Sequence, residues 1–160
     1  MVKPIDSFSG EYSFLSNFYN SPMIVPALNH LFAPTVEHAF QAWKAKDEAH
    51  IKWVLAANTP GQAKRRGRQV ELRDDWLSIR VAVMDSLLRI KFKPLATGSP
   101  FAPPFNPLSV MLVATGDAEL IEGNTWNDTF WGVCRGKGEN HLGKLLMQIR
   151  KELVEMGVKP

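Results

Sequence analysis

The sequence predicts an α+β domain, mostly helical with a few short strands. Two observations carry that expectation. Apolar residues recur at helical spacing behind capping residues: Val36, Phe40 and Trp43 follow Thr35, and Leu142, Leu146, Ile149 and Leu153 follow Asn140. Strand-like runs are few and short, near the start of the chain and again at 118–122 and 129–134. The 160 residues show no internal repeat, low-complexity segment or long linker. One domain over 1–160 with a full hydrophobic core is therefore expected.

The elements follow in order. Residues 5–18 mix aromatics with Ser, Gly and Asn and read as one or two strands with turns. Pro34-Thr35 opens a helix, with Thr35 as N-cap and Glu37 in the first turn. Residues 51–57 suggest a further short helix. Thr59-Pro60 starts another, with proline at the favoured first position. Asp74 or Asp75 can cap a long helix carrying Trp76, Ile79, Val83, Leu87 and Leu88, which ends near Pro94. Residues 95–107 are proline-rich and read as a loop, and 109–114 as a short apolar helix. The two strand candidates at 118–122 and 129–134 flank a polar turn. Residues 135–139 form a tight glycine loop, and Asn140 caps the last helix.

Composition narrows the function classes. Apolar residues make up 45% and charged residues 22%, an ordinary globular balance. No apolar run approaches the ~18 residues of a membrane helix, and the first ten residues carry no apolar signal core. A cytoplasmic protein with no membrane partner is expected. Cys134, the one cysteine, has no internal disulfide partner. His30, His38, His50 and His141 show no HExxH spacing, so no metal is expected.

The net charge of +3 is unevenly spread. Lys64, Arg65, Arg66, Arg68, Arg73 and Arg80 fall within seventeen residues. They form either a solvated helix face or a seat for phosphate or nucleic acid. Trp126 and Trp131 sit among Asn, Asp and Gly rather than in apolar runs, which suits stacking on a ligand.

Three motifs deserve weighing. Gly138 begins G-E-N-H-L-G-K, one residue short of a P-loop, and Leu145 stands where such a loop needs Ser or Thr. That residue, and the lack of a long buried strand before the loop, weigh against triphosphate hydrolysis, but a glycine loop entering a helix can still offer N–H groups to an anion. Glu37, Gln41 and Lys44 form a polar stripe opposite the apolar face of the first helix. Facing solvent, that stripe only complements the helix dipole. Lining a cleft, it brings a carboxylate and an amine to one ligand. Cleavage of a ribosyl C–N bond develops positive charge on the sugar, which a carboxylate stabilises while an acid assists the leaving base. A lysine can instead attack the anomeric carbon. Neither route needs a cofactor. The third motif is Asp117, Glu119, Glu122, Asn124, Asn127 and Asp128, followed by Trp131-Gly132. It is a hydrophilic turn, or a set of acids for ribose hydroxyls beside an indole for a base. Its spacing lacks the alternation of a calcium loop.

These segments together resemble the NADAR (YbiA-like) family across nearly the whole chain. The resemblance runs through Phe14-Leu15-Ser16-Asn17-Phe18, Thr35-Val36-Glu37-His38-Ala39-Phe40-Gln41-Ala42 with Lys44, Ala63-Lys64, Gly67-Arg68, Trp76, Met84 and Lys91-Phe92. It continues through Thr115-Gly116, Asp128, Trp131-Gly132, Gly138, Asn140 and Leu142-Gly143. It implies an N-glycosidase acting on an ADP-ribose- or ribosyl-phosphate-bearing substrate. Two substrates are implied: ADP-ribose attached to guanine in nucleic acid, and a phosphoribosylamino-pyrimidine of riboflavin synthesis. Glu37 is implied as the essential acid, with Lys44 and Asp128 as further catalytic residues. Asn17, Phe18, Gln41, Trp76, Asp117, Trp131, Gly132, Gly138 and Asn140 are implied as substrate-binding. Removal of ADP-ribose from guanine is the preferred reading. The rivals are a non-catalytic NAD or ADP-ribose-binding module, which would not need Glu37 or Lys44, and a nucleic-acid-binding protein that uses only its basic helix.

Overall fold

The computed structural model describes residues 2–94 and 107–160. The backbone gathers into two compact units, Asn17–Lys91 and Met1–Ser16 with Phe92–Pro160. The fold is α+β. Helices dominate the described residues, and each strand is two or three residues long. No described helix is long and apolar enough to cross a membrane.

The unit Asn17–Lys91 begins with an antiparallel pair, β1 (Met23–Val25) and β2 (Leu31–Ala33). Met23, Val25 and Ala33 point inward, whereas Ile24 and Phe32 face each other on the outer side. Asn29 and His30, both at positive φ, turn the chain between the strands. Four helices follow: α1 (Val36–Trp43), α2 (Glu48–Leu55), α3 (Pro60–Gly67) and α4 (Trp76–Lys91). Helix α1 packs against α2, α3 and α4 and is the centre of this unit.

Side-chain caps start three of these helices: Thr35 and Thr59 stand where the sequence places them, whereas α2 begins at Glu48, behind Asp47, and not at Ile51. The side chains of Thr35, Asp47 and Thr59 accept hydrogen bonds from the backbone N–H of His38, His50 and Gln62 respectively. Each such cap stabilises its helix by about 1 kcal/mol. Ahead of α4, the Asp75 carboxylate accepts from the Arg73 guanidinium and the Asp74 carboxylate from Lys46 Nζ.

The unit Met1–Ser16 with Phe92–Pro160 contains α5 (Pro107–Ala114) and α6 (His141–Glu155), packed on each other. Leu142, Leu146, Ile149 and Leu153 form the buried face of α6, as their spacing predicts. Between the helices run β3 (Gly123–Asn124) and β4 (Val133–Cys134), paired in parallel.

Three sequence expectations change here. The start of the chain is a 3-10 helix, Gly10–Leu15, and Ile5 contributes only an isolated bridge to Leu120. The strand expected at 118–122 is absent except for the Leu120 bridge, and β3 falls instead in the expected polar turn. The strand expected at 129–134 shrinks to Val133–Cys134, because side-chain bonds of Asn124 and Asp128 shape the segment before it. The loop expected over 95–107 lies outside the described residues except for Pro107, which opens α5. The expected glycine loop is present: Cys134 and Lys137 exchange both backbone hydrogen bonds around Arg135 and Gly136, each at positive φ.

Candidate active site

Helix α1 decides how the polar stripe is read. Seven of its eight residues, Val36 to Ala42, are buried. Glu37 is 6% exposed and Gln41 is 4% exposed, so the stripe is not a solvated face. An ionised carboxylate in such a place needs hydrogen-bond donors. Gln41 Nε2 supplies one, at 2.7 Å from Glu37 Oε1.

Lys44 follows directly on the helix. Its Nζ lies 5.6 Å from the ring centre of Phe40 and 5.9 Å from that of Trp76. The two rings contact each other at 5.0 Å between centroids. Burial lowers the Lys44 pKa below the ordinary lysine value. Glu37 opposes that shift, while the nearby cations Lys64, Arg68 and Arg80 reinforce it. Burial is the larger cause, so the attraction to Glu37 does not restore the ordinary value.

The Asn17 segment is tied to the same helix. The Glu37 N–H donates to the Asn17 carbonyl at 3.0 Å. Asn17 Nδ2 lies 3.5 Å from Met84 Sδ on α4, and its Oδ1 is buried without a hydrogen-bond partner. Phe18 is 45% exposed, with Lys64 Nζ 5.9 Å from its ring centre. Asn17, Phe18, Glu37, Gln41, Lys44 and Trp76 are therefore linked through direct contacts or electrostatic coupling within one unit. Lys64, Arg68 and Arg80 were legible in the sequence only as a basic run, and their electrical coupling to Lys44 is a product of the fold.

His38 anchors α1 from its other side. Its Nε2–H donates to the Ala57 carbonyl at 3.1 Å, so a neutral ring leaves Nδ1 to accept from the Thr35 hydroxyl at 2.9 Å. Burial lowers its pKa below 6.5. The unfolded chain then binds a proton more readily than the folded one. Its stabilising contribution is full above about pH 6.5 and is lost as pH falls through the lowered value. We expect the urea midpoint to fall on acidification below pH 6.5, with a smaller pH dependence in His38→Gln. Equal pH dependence in the two proteins would contradict this role.

The second predicted cluster lies in the other unit and is built as a loop. Asp128 Oδ1 accepts from the N–H groups of Phe130 and Trp131, at 3.2 and 2.9 Å. Asn124 clasps the Asp128 backbone from both sides, accepting from its N–H and donating to its carbonyl. Trp131 is half-buried and meets the Phe130 ring edge-on at 4.9 Å. Asp117 is exposed and acts electrostatically on Arg150. A Cβ on Gly132 would strike the Glu122 carbonyl, and one on Gly138 would strike the Gly132 carbonyl, so both glycines serve close backbone packing.

Two expectations for this loop are corrected. Asn140 occupies the N-cap position of α6 in a left-handed conformation, but its side chain makes no cap bond. It accepts from the Glu122 N–H and donates to the Leu120 carbonyl, a structural tie. Two donors at the helix start are already used. The N–H groups of His141 and Leu142 bind the carbonyls of Phe130 and Trp131. Among the described residues, no group of His, Cys, Asp or Glu could hold a metal ion.

The NADAR domain model matches residues 6–154. N-glycosidase YbiA of Escherichia coli (strain K12) is 38% identical over 150 residues, spanning 92% of this chain and 85% of that protein. N-glycosidase Npun_R5314 of Nostoc punctiforme is 37% identical, spanning 89% of this chain and 86% of that protein. Riboflavin biosynthesis protein VVA0006 of Vibrio vulnificus is 38% identical over 97% of this chain, which spans 40% of that longer protein. The NMR structure of E. coli YbiA matches with a TM-score of 0.78 at 34% identity, covering 100% of this chain and 90% of that one. The polar stripe thus sits inside a match that runs almost from end to end, and the chain belongs to the NADAR family.

Proposed function

We propose that this protein hydrolyses the bond between ribose and a nitrogen base, and that its substrate is ADP-ribose joined to guanine. The N-glycosidase activity in the names of YbiA and Npun_R5314 supports the reaction class. The buried Glu37–Gln41–Lys44 stripe is the observation that carries the reading. A non-catalytic binding module has no need of a buried carboxylate beside a lysine whose charge is disfavoured.

Hydrolysis breaks the C1′–N bond and joins a water oxygen to C1′. Positive charge builds on the sugar as the base departs, and the Glu37 carboxylate stabilises it. The lowered pKa of Lys44 favours its amine form, the form able to attack C1′. Attack by the amine forms a C1′–Nζ bond as the C1′–base bond breaks, and a proton lost by the amine leaves with the base. Water then displaces the lysine and gives a proton to Glu37. That proton passes to Nζ, so lysine departs as the neutral amine. Asp128 and Trp131 enter the proposal through the family pattern.

Lys64 and Arg68 support a phosphate-bearing substrate. Neither forms a salt bridge among the described residues, and both act on Lys44. A charge-assisted bond to phosphate is worth ~1.5–3 kcal/mol. We expect Lys64→Ala/Arg68→Ala to raise KM about tenfold or more, and the Lys44-dependent limb of kcat to move to higher pH, because two cations that lower its pKa are gone. For a DNA substrate, log KM should also rise with log salt, with a shallower slope in the variant. An unchanged KM would contradict the phosphate role.

The longer relative named for riboflavin biosynthesis favours a second substrate, a phosphoribosylamino-pyrimidine. The same chemistry would cleave it, and the basic residues would hold one phosphate instead of two.

A further inference from the structure

The Gln41 carboxamide is held in one orientation. Its Nε2 faces Glu37, so its carbonyl oxygen must face away from the carboxylate. That oxygen is buried without a hydrogen-bond partner and lies against Gly67 at the end of α3. A Cβ on Gly67 would stand 2.9 Å from both Cβ and Cδ of Gln41, and closer still to Oε1. Real side chains do not approach so closely. Gly67 is not among the glycines at positive φ, so its backbone does not require glycine. Alanine would be the better helix former there. Space for Gln41 is the remaining reason for the glycine.

We propose that Gly67 and Gln41 are positioning residues for the Glu37 carboxylate. Gly67 leaves the slot that the carboxamide fills, and Gln41 Nε2 fixes the carboxylate's rotation and favours its ionised form. The proposal rests on Glu37 being the reacting carboxylate. It adds that a backbone position on α3, thirty residues away in sequence, sets that carboxylate's geometry and titration.

Gln41→Met keeps the volume and removes the donor. It should lower kcat about tenfold with KM within about twofold. The acid limb of kcat/KM should move to higher pH, because the carboxylate loses a bond to its charged form. Gly67→Ala should give the same signature by pushing the carboxamide aside. In a Gln41→Ala background the slot is empty, so Gly67→Ala should change kcat no further. An unmoved acid limb in Gln41→Met, or an equal Gly67→Ala effect in both backgrounds, would overturn the proposal.

A second readout needs no turnover. The Glu37 side-chain carboxyl, followed by carbon NMR, should titrate at higher pH in Gln41→Met than in the parent protein. An identical titration would overturn the positioning role. Full turnover by Glu37→Gln would instead overturn the assignment of Glu37, which separates the two failures.

Discussion

Glu37→Gln is expected to abolish most hydrolysis, by about 10²–10⁴-fold, while ADP-ribose binding changes less than about threefold. The substitution is close to isosteric, and the new carboxamide oxygen can still accept from Gln41 Nε2. What disappears is the negative charge that stabilises the sugar cation and takes the proton of water. The loss should therefore fall on kcat. Stability should hold or rise, because a neutral amide is easier to bury than an ionised carboxylate. Hydrolysis assays and calorimetric binding on one purified sample check this. Parent-like turnover would remove Glu37 from the chemistry.

Lys44→Met is expected to lower turnover by about 10²-fold or more. Methionine keeps an apolar stem against Phe40 and Trp76 and removes only the amine. It also removes one of four clustered cations, so the urea midpoint should not fall. The pH profile tests the form in which Lys44 works. Its pKa lies below the ordinary value, so the amine fraction at any pH near that value exceeds that of a free lysine. If the amine attacks, parent activity rises as pH rises through this group, and the rise is absent in Lys44→Met. Opening of the ribose ring in the resulting adduct gives an imine, which borohydride added during turnover should reduce to a stable ribosyl mass adduct on Lys44. Activity that falls through the same pH range would show an ammonium acting as an acid and would contradict the nucleophilic role.

What was legible in the sequence was local. Thr35 and Thr59 announce α1 and α3 because a cap bond spans only three residues. The buried face of α6 follows from its spacing. The β1–β2 pair escaped notice because three-residue strands give a period-two pattern no room to repeat. Asn140 was read as a cap because its ties to Leu120 and Glu122 span twenty and eighteen residues, beyond any local rule.

The site divides in the same way. Helical spacing put Glu37, Gln41 and Lys44 on one face but could not say whether that face was buried. The burial comes from α2, α3 and α4 packing around α1. The importance of Gly67 was invisible because a glycine near a helix end ordinarily marks a stop. Its reason here is a side chain on another helix.

The central claim is that this protein cuts a ribosyl C–N bond with the α1 carboxylate and its neighbouring lysine. The most direct measurement gives the purified protein ADP-ribosylated guanine DNA and, separately, a phosphoribosylamino-pyrimidine, in ¹⁸O-labelled water under a single-turnover quench. The parent protein should yield unmodified guanine in the DNA and ADP-ribose labelled at C1′, with no such release by Glu37→Gln. Failure to release base and sugar from either substrate would contradict it.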